Sequence, residues 1–194
     1  EHFLVVGTHA LFAYETAAGV RLPSDIMETH DADLLFDTAN RAAFMEVMDD
    51  RQMSFVGILK KVDKTFERDD SLNHTARNAS GYEIQLIRRF PPDAQDASEH
   101  PLRLTADEGD LWPVRASMGQ KLLSVPRFDQ VVIGTNGGMA RMRTVHPLHF
   151  ARIKRLLAKE PRRDARKKAK DLAQADMVQR LVKEYLPHLA EAAR

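Results

Sequence analysis

His30-Asp31-Ala32-Asp33-Leu34-Leu35-Phe36-Asp37 is the stretch whose reading decides the fold. It is a short, mostly apolar run that begins with two carboxylates spaced i and i+2. Side chains alternate along a strand, so Asp31 and Asp33 share one face, while Ala32, Leu34 and Phe36 point the other way, into a core. Two like charges on one face repel each other. A solvated strand entry tolerates that repulsion, and a bound cation relieves it; hard oxygen ligands of this kind suit Mg²⁺. The residues by themselves leave both readings open.

The rest of the chain bounds the choice. Its 194 residues, 43% of them hydrophobic, fit one domain or a core with a helical appendage. We expect a core over 1–145 and a helical segment over 146–194. A formal net charge of +1 sets up no global field to recruit nucleic acid. There is no cysteine, which excludes disulfides, thiolate metal sites and a cysteine nucleophile. No apolar run approaches the ~20 residues of a membrane span, and no signal peptide is evident, so the expected location is the cytoplasm. The chain opens at Glu1 and enters a strand almost at once, which reads as a fragment or processed chain with residues missing upstream.

Working outward, His2 to Val6 is a buried strand ended by Gly7-Thr8, and His9 to Thr16 has helical composition. Strand, glycine turn and helix together let backbone approach a ligand closely and offer free N–H groups to an anion, although Gly7 also simply allows the turn. Gly19 to Thr29 is a polar connection. Asp37 reads as an N-cap before a helix over Ala39 to Asp49, and Ser54 to Val62 as a further helix. Strands follow at Thr65 to Arg68, Leu72 to Arg77 and Tyr82 to Ile87. In the last, Ile84 and Leu86 face the core and Glu83 and Gln85 share the opposite face. If this strand neighbours the Asp33 strand, Glu83 or Gln85 stands beside the two aspartates. Pro91 to Pro101 reads as a loop, Val114 to Leu123 as a helix, and Gln130 to Val145 as a hairpin whose Asn136-Gly137 favours a type I′ turn. Pro147 opens a helix with Phe150, Ile153 and Leu157 on its buried stripe. Between Arg152 and Lys170 ten Lys/Arg face two acids, a phosphate-facing patch or a solvated helix face. The final helix carries Val178, Leu181, Val182, Tyr185, Leu186 and Leu189 at helical spacing.

With these residues in place, the chain resembles the nucleotidyltransferase-fold superfamily that includes DNA polymerase β and kanamycin nucleotidyltransferase. "FLVVGTHALFAY" (Phe3–Tyr14) is similar to the superfamily's strand, glycine turn and helix, with Thr8 where Ser or Gly is usual. "ETHDADLLFD" (Glu28–Asp37) matches its Asp-x-Asp strand, and "GYEIQLIRR" (Gly81–Arg89) occupies the place of the later strand that bears a third carboxylate. "RTVHPLHFARIKRLLA" (Arg143–Ala158) looks like the strand and Lys-bearing helix of stand-alone bacterial members. The resemblance implies an α+β (α/β) fold: a mixed β-sheet core with helices packed on one face and a helical C-terminal segment. It implies transfer of a nucleoside monophosphate from a nucleoside triphosphate to a hydroxyl acceptor, assisted by two Mg²⁺ ions, with Mn²⁺ as an alternative. In that scheme Asp31 and Asp33 hold the metals, and Glu83 is the third ligand or the base. Gly7, Thr8, Gln85 and Lys154 contact the nucleotide.

One departure stands out. The family pattern places Asp where this chain has Gln85, and neutral Gln is a poor ligand or base; Glu83, on the same face, is the candidate replacement. The competing reading is a catalytically degenerate module that binds nucleic acid through 152–170, or a protein partner through the final amphipathic helix. A hydrolytic metal site built on His30 with Asp31 and Asp33 ranks last, since no second histidine has a suitable spacing.

Overall fold

The computed structural model describes residues 2–90 and 101–191. Its elements begin with β1 (Phe3–Val6), α1 (Ala10–Ala18), α2 (Ser24–Met27), β2 (Asp31–Phe36), α3 (Arg41–Asp50) and α4 (Phe55–Val62). The short strands β3 (Glu67–Arg68) and β4 (Thr75–Arg77) lead into β5 (Glu83–Arg88) and β6 (Val114–Arg115). After them come α5 (Gly119–Ser124), β7 (Arg127–Ile133), β8 (Met139–Val145), α6 (Pro147–Ala158), α7 (Ala165–Tyr185) and α8 (Pro187–Glu191). This is the expected α+β class. Apart from Pro101, the expected loop from Pro91 lies outside the described residues.

The chain divides into two compact units: residues 1–4 with 30–123, and residues 5–29 with 124–194. The boundary expected at 145 falls inside the second.

In the first unit the sheet order is β1-β2-β5-β4-β3, with β6 also pairing β5. The sheet is mixed: β5 runs parallel to β2 and β6 and antiparallel to β4. One sheet face is apolar, as the alternation in β2 predicts. Phe36, Ala76 and Leu86 pack there against Phe44 and Met48 of α3 and Phe55 and Val56 of α4. Phe3 sits among Phe36, Phe44 and Phe55 with ring centroids 5.2, 5.3 and 5.2 Å away. Aromatic burial of this density is a large part of what holds the unit together.

Two local expectations are corrected. Val114 to Leu123 is not one helix. Beyond Gln85, where β4 ends, the edge of β5 still offers backbone groups. Val114 and Arg115 pair with Ile87 and Arg88, and Ala116 N donates to Arg88 O at 2.9 Å. Buried backbone groups must be satisfied, so this segment becomes strand before α5 begins. The hairpin turn also differs from type I′. Gly134 N donates to Gly138 O at 2.8 Å around a three-residue loop in which Gly137 takes φ +78°, the left-handed position of a bulged loop.

The second unit gathers α1, α2, the β7–β8 hairpin and α6 to α8. Tyr14 lies at its centre, fully buried, and donates its hydroxyl to Val145 O at 2.6 Å. Burial holds that phenol far above its ordinary pKa. Its ring lies 5.7 Å from Phe128 and 5.5 Å from Phe150. Val178, Leu181, Val182 and Leu186 are buried as their spacing predicts. Tyr185, expected on the same stripe, is exposed at the point where α7 stops before Pro187.

Asp110, buried in the first unit, caps α4. Its carboxylate accepts from Phe55 N (2.8 Å), Val56 N (3.0 Å) and Thr105 Oγ1 (2.7 Å). Asp110→Ala leaves those donors unsatisfied and should lower unfolding stability by about 2–3 kcal/mol, read as a fall in the urea midpoint. Asp110→Asn, which still offers one carbonyl oxygen, should lose less.

Candidate active site

Parallel pairing places Asp31 opposite Glu83 and Asp33 opposite Gln85. Glu83 N donates to His30 O at 2.9 Å and locks that register. β4 adds Arg77 opposite Glu83 and Thr75 opposite Gln85. Paired residues project to the same side of a sheet. The face away from the aromatic core therefore carries two rows: Asp31, Glu83, Arg77 and Asp33, Gln85, Thr75. The four residues expected to meet on one face do so.

Hydrogen bonds distinguish Glu83 and Gln85. Arg77 donates to Glu83 Oε1 from Nη2 at 2.6 Å and from Nε at 3.0 Å, and its Nη2 lies 3.3 Å from Asp69. Gln85 Nε2 donates to the other Glu83 oxygen at 2.9 Å. Both oxygens of Glu83 therefore have donors from its own sheet. Among the described residues, no group of three His, Asp or Glu side chains stands close enough to hold a metal ion. Asp31 and Asp33 form a pair of hard oxygen donors. That fits Mg²⁺, which binds through one or two carboxylates together with substrate phosphates and water.

Tyr82 reports the potential at this pair. It is half-buried against the aromatic core, and its phenol is pushed up to about 12, first by burial and then by the charges of Asp31 and Asp33. Each negative neighbour makes a phenolate harder to form.

The remaining expected site residues lie in the second unit. Gly7 takes φ +66°, the left-handed conformation that favours glycine, and so turns β1 into a 3-10 turn over Gly7–His9 that leads into α1. Thr8 Oγ1 accepts a hydrogen bond from Gln174 Nε2 at 3.1 Å. Lys154 is only 8% exposed, and its ammonium lies 2.9 Å from Asp171. Asp171 is 2% exposed and accepts from Arg163 with its other oxygen. Of the basic stretch, Arg155 is held by Asp176 and Gln179, and Lys170 by the carbonyl of Glu28. Arg162, Arg166 and Lys167 are exposed.

The model of a family described as "Nucleotidyltransferase" matches residues 1–194, the whole chain. This chain belongs to the nucleotidyltransferase family. No curated protein and no solved structure matches it. Membership carries nucleotidyl transfer as the general function and a nucleoside triphosphate as the implied substrate. Among the described residues, no helix is long and apolar enough to cross a membrane.

Arg77, Tyr82, Asp171 and Gln174 were not singled out by sequence reading. For Arg77 a signal was present. Asn78 N donates to Tyr82 O at 3.1 Å around a tight loop ending in Gly81 at φ +81°, and a hairpin of that length sets residue 77 opposite residue 83. For the partners of Asp171 and Gln174 no local signal exists.

Asp31→Asn or Asp33→Asn should move the Tyr82 titration downward from about 12. The phenol should stay above the ordinary tyrosine range, because burial is unchanged. The phenolate absorbance difference between each protein and its Tyr82→Phe counterpart measures this shift.

Proposed function

We propose that the chain transfers a nucleoside monophosphate from a nucleoside triphosphate to a hydroxyl acceptor, with Asp31 and Asp33 as the metal-binding carboxylates. The observation that carries this reading is the Asp31/Asp33 pair on β2, set by register beside Glu83 and Gln85, in a chain of the nucleotidyltransferase family. Bound Mg²⁺, or Mn²⁺ in its place, would supply Lewis-acid stabilisation of phosphate charge and lower the pKa of the acceptor hydroxyl, and the superfamily pattern calls for two such ions.

The side chains divide the remaining work. Asp31 and Asp33 present adjacent oxygens from a rigid strand backed by the aromatic core. Gly7 and Thr8 offer backbone N–H groups and a hydroxyl to phosphate oxygens. Gln85 orients Glu83 through its amide. Glu83 is the third carboxylate of the face, and its use as a ligand or base requires exchange of its Arg77 contact. Lys154 is held in its ion pair with Asp171, and its use as a phosphate contact requires exchange of that pairing.

Calorimetric titration with nucleoside triphosphates tests this reading. Wild type should bind in the presence of Mg²⁺ and lose affinity when the metal is chelated. Asp31→Asn and Asp33→Asn should each weaken the metal-dependent binding by about tenfold or more. Absence of metal-dependent binding by wild type at millimolar nucleotide would rule the reading out.

The ion pair between Arg77 and Glu83 favours a second reading, a family member that binds without turnover. It predicts nucleotide or nucleic-acid binding with no transfer product, and nucleic-acid binding that weakens steeply with salt. Charge reversal at the exposed Arg162, Arg166 and Lys167 should abolish nucleic-acid binding if that stretch carries it. Arg77→Met, which removes the arginine from Glu83 and leaves the Gln85 contact, separates the readings. Product formation that rises from nothing in this variant identifies a site held inactive, whereas turnover in wild type supports the enzyme.

A further inference from the structure

We propose that Gln174 is a positioning residue that sets the Thr8 hydroxyl as a hydrogen-bond donor toward phosphate. The inference rests on the reading of Thr8 as a phosphate contact.

Gln174 lies on α7 and is 0% exposed. Its Nε2 stands 2.9 Å from the carbonyl oxygen of Ile26 and 3.1 Å from Thr8 Oγ1. A carbonyl can only accept, so the contact with Ile26 fixes the amide with its nitrogen toward Thr8. Both N–H groups are then directed, one to each partner. Thr8 Oγ1 must accept from the amide and cannot return its own proton there. That proton is left for a different acceptor, and the hydroxyl is presented as a donor at the turn where β1 ends and the helical segment begins. A negatively charged phosphate oxygen is the acceptor such a group serves best.

The neighbouring residues hold this turn of α7 in place. Lys170 donates to the carbonyl of Glu28, and Asp171 is gripped by Lys154 and Arg163. Residues 170, 171 and 174 fall on one side of a helix. One helical turn therefore ties the Thr8 turn to the Ile26–Glu28 segment that precedes the Asp31 strand. The amide carries a cost, since Gln174 Oε1 is buried and has no hydrogen-bond partner among the described residues. A methionine of similar length would fill the space without that cost but would leave the Thr8 hydroxyl free to rotate.

Inorganic tripolyphosphate with Mg²⁺, titrated into the full chain, is the probe, because it reads phosphate contacts without any base. Thr8→Val should weaken binding by about tenfold, and Gln174→Met by about threefold to tenfold. The double variant should bind no worse than Thr8→Val alone, because Gln174 acts through that hydroxyl. Gln174→Asn, too short to reach both partners, should repeat the Met result and keeps the test open if the Met variant does not fold. Thermal midpoints recorded in parallel separate lost stability from lost affinity. Unchanged affinity in the Gln174 variants, or additive losses in the double variant, would overturn the positioning role and leave Thr8 as a contact. Unchanged affinity in Thr8→Val overturns it too, while the Asp31/Asp33 reading stands on its own titration. No binding by wild type removes both.

Discussion

The register of β2 against β5 is the constraint on which the candidate site depends. A slip of one residue would turn every side chain of β2 to the other face, placing Asp31 and Asp33 in the aromatic core. Two features forbid it. Phe36 is fully buried among Phe3, Phe44 and Leu86, and Glu83 N is bonded to His30 O at the strand entry. The energy that keeps the two carboxylates adjacent is thus largely hydrophobic and lies on the far side of the sheet. Alternation puts Ala32, Leu34 and Phe36 on one parity and the two aspartates on the other, with Leu35 a buried apolar residue on the aspartates' parity.

That alternation is also why the central features were legible in the sequence. Strand β2, the facing of Asp31 and Asp33 and the glycine turn at Gly7 follow from periods of two and from turn residues, whereas the pairing of the Glu83 strand with the aspartate strand is conditional on the residues alone and is implied by the family resemblance. What was not legible depends on partners distant along the chain. Whether Glu83 would meet metal or arginine turned on the register of a second hairpin. Lys154 is expected at the nucleotide from the family resemblance, whereas the structure buries it against Asp171, 17 residues away. The Val114 segment reads as helical by composition and becomes strand because β5 has an unfilled edge. Local propensity yields where tertiary hydrogen bonding demands it.

The charged residues show the same division. Ten cations between Arg152 and Lys170 look like one patch on paper. In the structure seven of the ten fall into two sets, and of the other three Arg152 and Lys159 are exposed. Lys154, Arg155, Arg163 and Lys170 are bonded to acids or to backbone within their own unit. Arg162, Arg166 and Lys167 remain exposed on and before the first turn of α7. A buried pair such as Lys154 with Asp171 contributes more to fixing one arrangement than to raising stability, because desolvating both charges offsets most of their attraction. Here the arrangement it fixes is the helical turn that also carries Gln174.

The way the chain passes between its two units sets the order in which they can form. Residues 30–123 complete the first unit, whereas the second needs residues on both sides of that segment. Its central contacts are correspondingly remote: Tyr14 meets Val145 across 131 positions, and Thr8 meets Gln174 across 166. Contacts of such separation close slowly, because the loop entropy must be overcome before they contribute. During synthesis, which proceeds from the N-terminus, α1 must wait for almost all of the chain before its partners exist. The aspartate strand could already pair within its sheet while the Gly7–Thr8 turn still lacked its partner on α7, so the second unit is completed only by the last helices to be made.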